Sequence, residues 1–462
     1  MWEKNEELVG TVVSYGSEGE GVIKTEDGTV FVPFCLVGET VKVRLLKVKD
    51  KIAYGKLVQV LVSSPDRVSP VCPVYDKCGG CSIQHMRYSA QLKYKQNQVR
   101  DTLKKLGNLD ADVEETIPCA LPFGYRNKLQ LPVGYVDGKT VVGFYAERSH
   151  RIVPITDCPV TPWAKDAVDA VMEYSKRCSV RGYDEATGEG TLRHLVVREI
   201  AGKFIVTVVT ATKRLPRVDE LLSVLKEKFT CFTLWQNVNE TKSNVIFGKE
   251  FHLLYGDGTF SDVESGISYS AGAQTFVQVN RDIREKLYHA VLAEVDADTD
   301  VIDCYAGGGL LTAMLAKKCR SAHGIEIVAE AVDCANVLKR ENGLANMTNH
   351  CGAVEDILPD LMKRLGDNVC LTVDPPRKGL ERSVVHTIME SGVERIVMIS
   401  CNPATLARDL GLLCGTLKEE NGKLVKGDGN GNYTPVFIRP YDMFPQTKHV
   451  ETLVALQRND KA

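Results

Sequence analysis

No run of about 18 or more apolar residues, the length a membrane-spanning helix needs, occurs in this chain of 462 residues. Its first segment, MWEKNEELVG, holds neither an apolar h-region nor a small-residue cleavage site. Membrane-spanning and secreted classes are therefore set aside, and a cytoplasmic protein is expected. A strong charge of either sign is also missing: 57 basic residues against 60 acidic ones leave a formal net charge of -3. Any nucleic-acid-binding surface must then be local. Cysteine, by contrast, is plentiful at 15 residues. In an intracellular chain these do not read as a disulfide framework, so they divide among core packing, metal or cluster ligation, and catalysis. The length exceeds what one hydrophobic core organises, and two to four domains are expected.

Residues 1 to about 62 read as five short strands, LVGTVVSYG, GEGVIKTED, TVFVPFC, ETVKVRLLKVKD and IAYGKLVQVLV. Strands at that spacing, separated by Gly, Asp and Glu turns, predict a small antiparallel barrel. Between residues 42 and 56 the last two strands carry Lys42, Arg44, Lys47, Lys49, Lys51 and Lys56 against Asp50 alone, which suits either a phosphate-tracking ribbon or a solvated strand face. Next comes a compact thiol triplet, Cys72, Cys78 and Cys81, in VCPVYDKCGGCSIQH, with Cys158 far downstream in ITDCPV. Zinc ribbons supply two Cys-x-x-Cys pairs, whereas a triplet plus a distant Cys-Pro is closer to iron-sulphur ligation. Cys119, Cys178 and Cys231 have no such company and are assigned to packing. The segment 63–265 alternates strands with helices at 87–106, 162–177 and 216–228, an α+β middle domain. Within it, PFGYRNKLQ sets Phe123 and Tyr125 beside Arg126, Asn127 and Lys128, a mixture able to clamp an unpaired nucleic-acid strand or to form a half-buried strand edge.

From about residue 266 to the end, helices and apolar strands alternate, as in a doubly wound parallel sheet. DVIDCYAGGGLLTAMLAKK is a strand, a glycine-rich turn and a helix. Gly307, Gly308 and Gly309 let the backbone approach a ligand. Glu326 ends the following strand, about 20 residues on, where a carboxylate accepts from ribose hydroxyls. The Asp-x-x-x-Gly-x-Gly register favours S-adenosyl-L-methionine over a dinucleotide, which would have a pyrophosphate to cradle. VCLTVDPPRKGL then places Asp374 in a rigid turn at a strand end. RIVMISCNPATLARDL breaks from strand to helix at Cys401, with Asn402 suited to the N-cap and Pro403 to the first helical position. A cysteine beside a helix start is placed to be a thiolate nucleophile, although one ending a buried strand can equally be a small core residue.

FVQVN at 276–280, DCYAGGGLLT at 303–312, DPPRKGL at 374–380, SCNPATLARDL at 400–410 and DMFPQTKHVETLVAL at 442–456 together resemble the RNA uracil-C5 methyltransferases. The resemblance is strongest to the bacterial 23S ribosomal RNA (uracil-5-)-methyltransferases, and it covers essentially the whole chain. It implies an α/β fold in which a Rossmann-like class I methyltransferase domain (266–462) follows a TRAM/OB-like barrel (1–62) and the middle domain (63–265). It further implies Cys401 as nucleophile, Glu451 as base, Gln278, Tyr305, Glu326 and Asp374 as S-adenosyl-L-methionine contacts, and Cys72, Cys78, Cys81 and Cys158 as ligands of a 4Fe-4S cluster. The chemistry expected is addition of Cys401 to C6 of uracil, methylation at C5 and removal of the C5 proton by a Glu451 kept near neutrality by partial burial. Asp374 and Gln278 are placed to read the uracil edge. The target is an unpaired or flipped uridine, and a monomer is the expected state. The competing readings are a transfer-RNA uracil-C5 methyltransferase and a non-catalytic RNA-binding assembly protein. A cytosine enzyme would carry cysteine where this chain has Arg377.

Overall fold

The computed structural model describes residues 2–366 and 368–459. Five strands, β1 (Glu7–Tyr15), β2 (Gly21–Thr25), β3 (Gly28–Val32), β4 (Thr40–Lys49) and β5 (Ile52–Val62), close into a barrel in the order β1-β2-β3-β5-β4. Alternating side chains point inward, so Val12, Ile23, Val30, Val32, Val41, Val43, Leu45 and Ala53 fill the interior with Trp2. Closure is not wholly antiparallel, because β3 and β5 pair in parallel. The basic ribbon is also less bare than its sequence. Glu7 on β1 takes Lys42 at 2.7 Å and Arg44 at 2.6 Å, since β1 and β4 are hydrogen-bonded neighbours. A buried carboxylate, Glu39, fastens the barrel to the following segment through Arg67 at 2.5 Å.

Helix α1 (Tyr88–Leu106) precedes a seven-stranded sheet. Its strands are β6 (Lys128–Val136), β7 (Lys139–Tyr145), β8 (Ile152–Pro154), β9 (Leu192–Ile200), β10 (Lys203–Thr210), β11 (Phe232–Val238) and β12 (Glu250–Tyr255), with spatial order β12-β11-β10-β9-β6-β7-β8. Helices α2 (Ala164–Cys178) and α3 (Val218–Lys228) cover one face. Leu129, Leu131, Leu195, Val197, Val206 and Val208 pack there against Ala167, Val171, Tyr174, Leu221 and Leu225. Strand alternation sends Lys128, Gln130, His194, Val196 and Arg198 to the opposite face. Cys231, expected in packing, is exposed, while Cys119 is buried.

The hairpin β13 (Phe260–Glu264) and β14 (Ile267–Ala271) leads into α4 (Arg281–Ala293) and then a second seven-stranded sheet. Strands β15 (Asp300–Cys304), β16 (Ser321–Glu326), β17 (Met347–Cys351), β18 (Val369–Val373) and β19 (Arg395–Ser400) are parallel, joined by α5 (Leu310–Ala316), α6 (Ala329–Glu341), α7 (Val354–Leu365) and α8 (Arg382–Ser391). After α9 (Pro403–Leu413) and a small hairpin, β20 (Leu417–Glu420) and β21 (Lys423–Lys426), the chain closes with β22 (Tyr433–Tyr441) and β23 (Glu451–Arg458). The order is β17-β16-β15-β18-β19-β23-β22, with β23 antiparallel to β19. Continuous apolar strands such as VCLTV are buried along their length, as a sheet covered on both faces requires. Among the described residues no helix is long and apolar enough to cross a membrane.

Helix α1 lies in the middle stretch of chain, yet Val99 and Leu103 share a core with Leu406, Ala407 and Leu410 of α9. Its polar residues Tyr88, Gln91 and Lys95 recur at helical spacing and face inward too. Lys95 forms a fully buried ion pair with Asp442, and Asp442 also accepts from the Tyr88 hydroxyl at 2.8 Å. Removing one member of a buried pair strands the other charge away from water. Lys95→Met is therefore expected to destabilise the protein by about 3–5 kcal/mol in urea unfolding, and the double variant with Asp442→Leu to regain most of that loss.

Candidate active site

Five of the six candidate catalytic and cofactor residues are carried to one edge of the second sheet by its strands. Tyr305 follows β15, Glu326 ends β16, Asp374 follows β18 and Cys401 follows β19; Glu451 begins the antiparallel β23 at that same edge. The β19–β23 register pairs Ser400 with Thr452, so one further step sets Cys401 opposite Glu451. Asn402 caps α9, its side chain accepting from Ala404 N at 3.1 Å and donating to Arg377 O at 3.0 Å. Thr405 Oγ1 donates to the same carbonyl at 3.4 Å. The cap thus locks the Asp374–Arg377 turn against the cysteine turn.

The electrostatics correct the expectation of a low-pKa thiol. Burial first, and then the Glu451 carboxylate, push Cys401 up to about 11; Arg377 opposes this and Asp374 adds to it. A helix start is too weak a positive field to offset burial beside two carboxylates. Glu451 is buried completely rather than partly, and burial, followed by Asp374, raises it well above the ordinary carboxylate range, again against Arg377. Asp374 is raised by burial and then by Asp303. Asp303 is itself held by the hydroxyls of Thr312 at 2.5 Å and Thr372 at 2.8 Å. Arg377 is thus the cation that makes negative charge tolerable here.

On the cofactor side, a Cβ added at Gly307 or Gly308 would meet nothing within 4 Å, whereas one at Gly309 would sit 2.7 Å from Ala335 Cβ. Only the first two glycines leave open space for a ligand; the third lets α5 pack on α6. Glu326 accepts from Gly307 N at 3.0 Å and Val328 N at 2.9 Å, which fixes its carboxylate beside that space. Tyr305 adopts a left-handed backbone, φ 66°, and packs its half-buried ring on the α7–α9 side of the sheet. Gln278 lies in the segment before α4, half-buried, and its backbone carbonyl accepts from Asn127 Nδ2 at 3.2 Å.

That last contact belongs to a clasp not legible in sequence. Asn127 N donates to Val279 O at 2.9 Å, and the Tyr125 hydroxyl to Pro445 O at 3.2 Å. Asn280 caps α4 and donates to Met443 O at 3.2 Å. Gln446 is gripped from two sides: Gln91 Nε2 donates to its Oε1 at 2.9 Å, and the amides of Ser82 and Ile83 donate to its carbonyl at 3.0 and 3.1 Å. Tyr125 and Asn127, read as candidate nucleic-acid contacts, are therefore spent on holding two loops: Tyr125 the one that leads to Glu451, Asn127 the one that carries Gln278. The signal available in sequence was the inward polar stripe Tyr88, Gln91, Lys95 on α1.

Ser82 and Ile83 directly follow the thiol triplet. Among the described residues no three His, Cys, Asp or Glu side chains form a ready-made metal-binding group. The four thiols nonetheless lie within mutual electrostatic reach, since Cys78 and Cys81 are each raised by Cys158 and Cys72 after the larger effect of burial. Gly79 is required by close approach: a Cβ there would sit 2.9 Å from Tyr145 O. Gly80 N donates to Cys78 Sγ at 3.3 Å. Four thiols that act on one another, with amide support at Cys78 and the Arg126 guanidinium favouring thiolate at Cys158, have the donor chemistry of a thiolate-bound metal or cluster.

Because Arg377 and Glu451 act on Cys401 with opposite sign, their removal separates the two effects. Alkylation of Cys401 by iodoacetamide, followed by peptide mass spectrometry across pH, is expected to have its midpoint near the value of about 11. Arg377→Gln moves that midpoint up and Glu451→Gln moves it down, because loss of a cation disfavours thiolate and loss of an anion favours it.

Comparison with known proteins agrees with this architecture. Residues 255–459 match the family model described as tRNA (Uracil-5-)-methyltransferase, and residues 9–58 match the TRAM domain. An uncharacterized RNA methyltransferase of Clostridium acetobutylicum is 36% identical, the alignment covering 99% of this chain and 98% of that protein. Another from Listeria monocytogenes is 36% identical over 99% of each. The crystal structure of Pyrococcus abyssi tRNA (uracil-54, C5)-methyltransferase in complex with S-adenosyl-L-homocysteine superposes with a TM-score of 0.77 at 24% identity, covering 97% of this chain and 99% of that one. With a TRAM barrel, a class I methyltransferase sheet and full-length relatives of this kind, the chain belongs to the RNA (uracil-5-)-methyltransferase family.

Proposed function

We propose that this chain methylates C5 of a uridine in 23S ribosomal RNA, with Cys401 as nucleophile and Glu451 as base. The observation that carries the reading is the meeting of Cys401, Asp374, Glu451 and Arg377 at one sheet edge, beside the open space over Gly307 and Gly308. S-adenosyl-L-methionine, held by Glu326, Tyr305, Gln278 and Asp374, supplies an electrophilic methyl group. Uracil C5 is too weak a nucleophile to take it unaided. Addition of the Cys401 thiolate to C6 pushes an electron pair through C5 onto the C4 carbonyl; that pair returns through C5 to form the new bond to methyl as the donor's S–CH3 bond breaks, its electron pair leaving on the sulfur of S-adenosyl-L-homocysteine. Glu451 then takes the C5 proton, and the electrons of the broken C–H bond restore the double bond and expel Cys401. Arg377 stabilises the anionic groups of both steps. A base inside a duplex presents neither C5 nor C6, so the uridine is unpaired or flipped.

Cys72, Cys78, Cys81 and Cys158 are proposed to hold a 4Fe-4S cluster. Its role in this reading is structural: it secures the loop whose Ser82 and Ile83 amides hold Gln446. Anaerobically purified protein is expected to contain iron and sulphide in equal amounts, and to lose both in Cys81→Ser; bound zinc without sulphide would refute the assignment.

The transfer-RNA reading has one specific observation in its favour. A transfer-RNA enzyme shares this fold over nearly the full length of both chains, so the barrel does not select ribosomal RNA, and the four-cysteine loop is what remains of that argument. Labelled S-adenosyl-L-methionine offered with separate ribosomal and transfer RNA from a strain lacking the enzyme is expected to label 5-methyluridine in the ribosomal fraction. Exclusive labelling of transfer RNA overturns the substrate choice. Cys401→Ala is expected to abolish transfer, and Glu451→Gln to accumulate a protein–RNA adduct stable on a denaturing gel.

A further inference from the structure

The face of the middle sheet turned away from α2 and α3 carries three cations: Arg126 acts on the Cys158 thiol, while Lys128 and Arg198 have no carboxylate partner among the described residues. Lys128 on β6 and Arg198 on β9 are directly paired across the ladder, so their side chains project together. Arg126 precedes them on the same edge and spends only its Nε, donating to Lys128 O at 2.8 Å. Among the described residues none of the three forms an ion pair. Arg198 is 3% exposed, and its Nη1 is buried without any hydrogen-bond partner. The groups facing it from the β13–β14 hairpin and α4 do not neutralise it. Glu264 is taken by Arg284, and the Tyr269 hydroxyl accepts from Arg284 at 3.1 Å. Burial and the neighbouring cations lower Lys128 to about 8, and burial with Arg284 lowers Arg198 to about 10.

An uncompensated buried cation costs stability, so the fold alone gives no reason for the cluster. Its place does. Asn127, between Arg126 and Lys128, is hydrogen-bonded to the backbone of Gln278 and Val279, in the segment assigned to the cofactor. We propose that Arg126, Lys128 and Arg198 bind one backbone phosphate of the RNA substrate, close to the nucleotide presented to Cys401. The proposal rests on RNA being the substrate. A guanidinium fork matches two phosphate oxygens and an ammonium supplies a point charge. Such a contact fixes the register of the strand without reading its sequence.

The test uses full-length Arg198→Met, Lys128→Met and Arg198→Lys variants. A fluorescent stem-loop RNA with unpaired uridines is titrated across a series of KCl concentrations. Each Met variant is expected to weaken binding and to flatten the slope of log K against log salt by about one, while S-adenosyl-L-methionine affinity stays unchanged and Arg198→Lys keeps the slope. Thermal melting supplies a readout that a merely structural role would move the other way. Arg198→Met is expected to raise Tm, because it removes a buried unpaired charge. An unchanged slope, or a lowered Tm with unchanged RNA binding, overturns the proposal. Stabilisation of the wild type by inorganic phosphate with no change in RNA slope also overturns it, by assigning the site to a free anion. Binding is measured without turnover. A flattened slope without methyl transfer would sink the uridine reading alone, and methyl transfer with an unaltered slope would sink the phosphate site alone.

Discussion

The buried pair between Lys95 and Asp442 is the interaction on which the assembly of the site depends. Glu451 begins a strand, but the loop before it, from Asp442 to Val450, has no ladder of its own to hold it. A loop in this position needs external partners for its backbone groups. It finds them on α1 and on the thiol loop: Lys95 binds Asp442 and the Phe444 carbonyl, Gln91 binds Gln446, and Ser82 receives the Lys448 amide at 2.8 Å. The base is therefore positioned by residues more than 350 places away in sequence, and the middle segment is as much a part of the catalytic frame as the sheet that carries the nucleophile.

A second constraint is the scarcity of positive charge at the sheet edge. Cys401, Asp374 and Glu451 all carry negative charge when deprotonated, and each makes it harder for its neighbours to ionise. Arg377 is the opposing cation, held in place because the Asn402 side chain and the Thr405 hydroxyl bind its carbonyl. In the free protein the thiol accordingly keeps its proton. A nucleophile protected this way resists adventitious alkylation and oxidation, at the cost of requiring a deprotonation in every turnover.

What the sequence made legible follows from what sequence patterns encode. Strand alternation, glycine-rich turns and the Asn402-Pro403 helix start are local, and the structure contains the barrel strands, the β15–α5 turn and the α9 cap where those signals put them. The parallel closure of β3 on β5, the neutralisation of Lys42 and Arg44 by Glu7, and the clasp of Tyr125 and Asn127 on the active-site loops depend on distant partners. No local pattern specifies these. The raised pKa of Cys401 belongs to the same group: a cap and a helix start can be read from five residues, but burial by two other strands cannot.

The division of labour within PFGYRNKLQ connects these points. Odd and even positions of an extended segment face opposite ways. In this segment the Tyr125 hydroxyl and the Asn127 amide hold loops of the methyltransferase domain, while Lys128 has only Arg126 and Arg198 as charged neighbours and Arg126 also acts on Cys158. One stretch of backbone thus fixes the position of the Gln278 loop and of the neighbouring cations Arg126 and Lys128. Any ligand held by those cations is placed relative to Cys401 by the same hydrogen bonds that place Gln278 and the loop to Glu451. Geometry between a bound phosphate and the reacting base then does not rely on a flexible domain interface, which is what a reaction requiring both C5 and C6 of one uracil within reach of fixed groups demands.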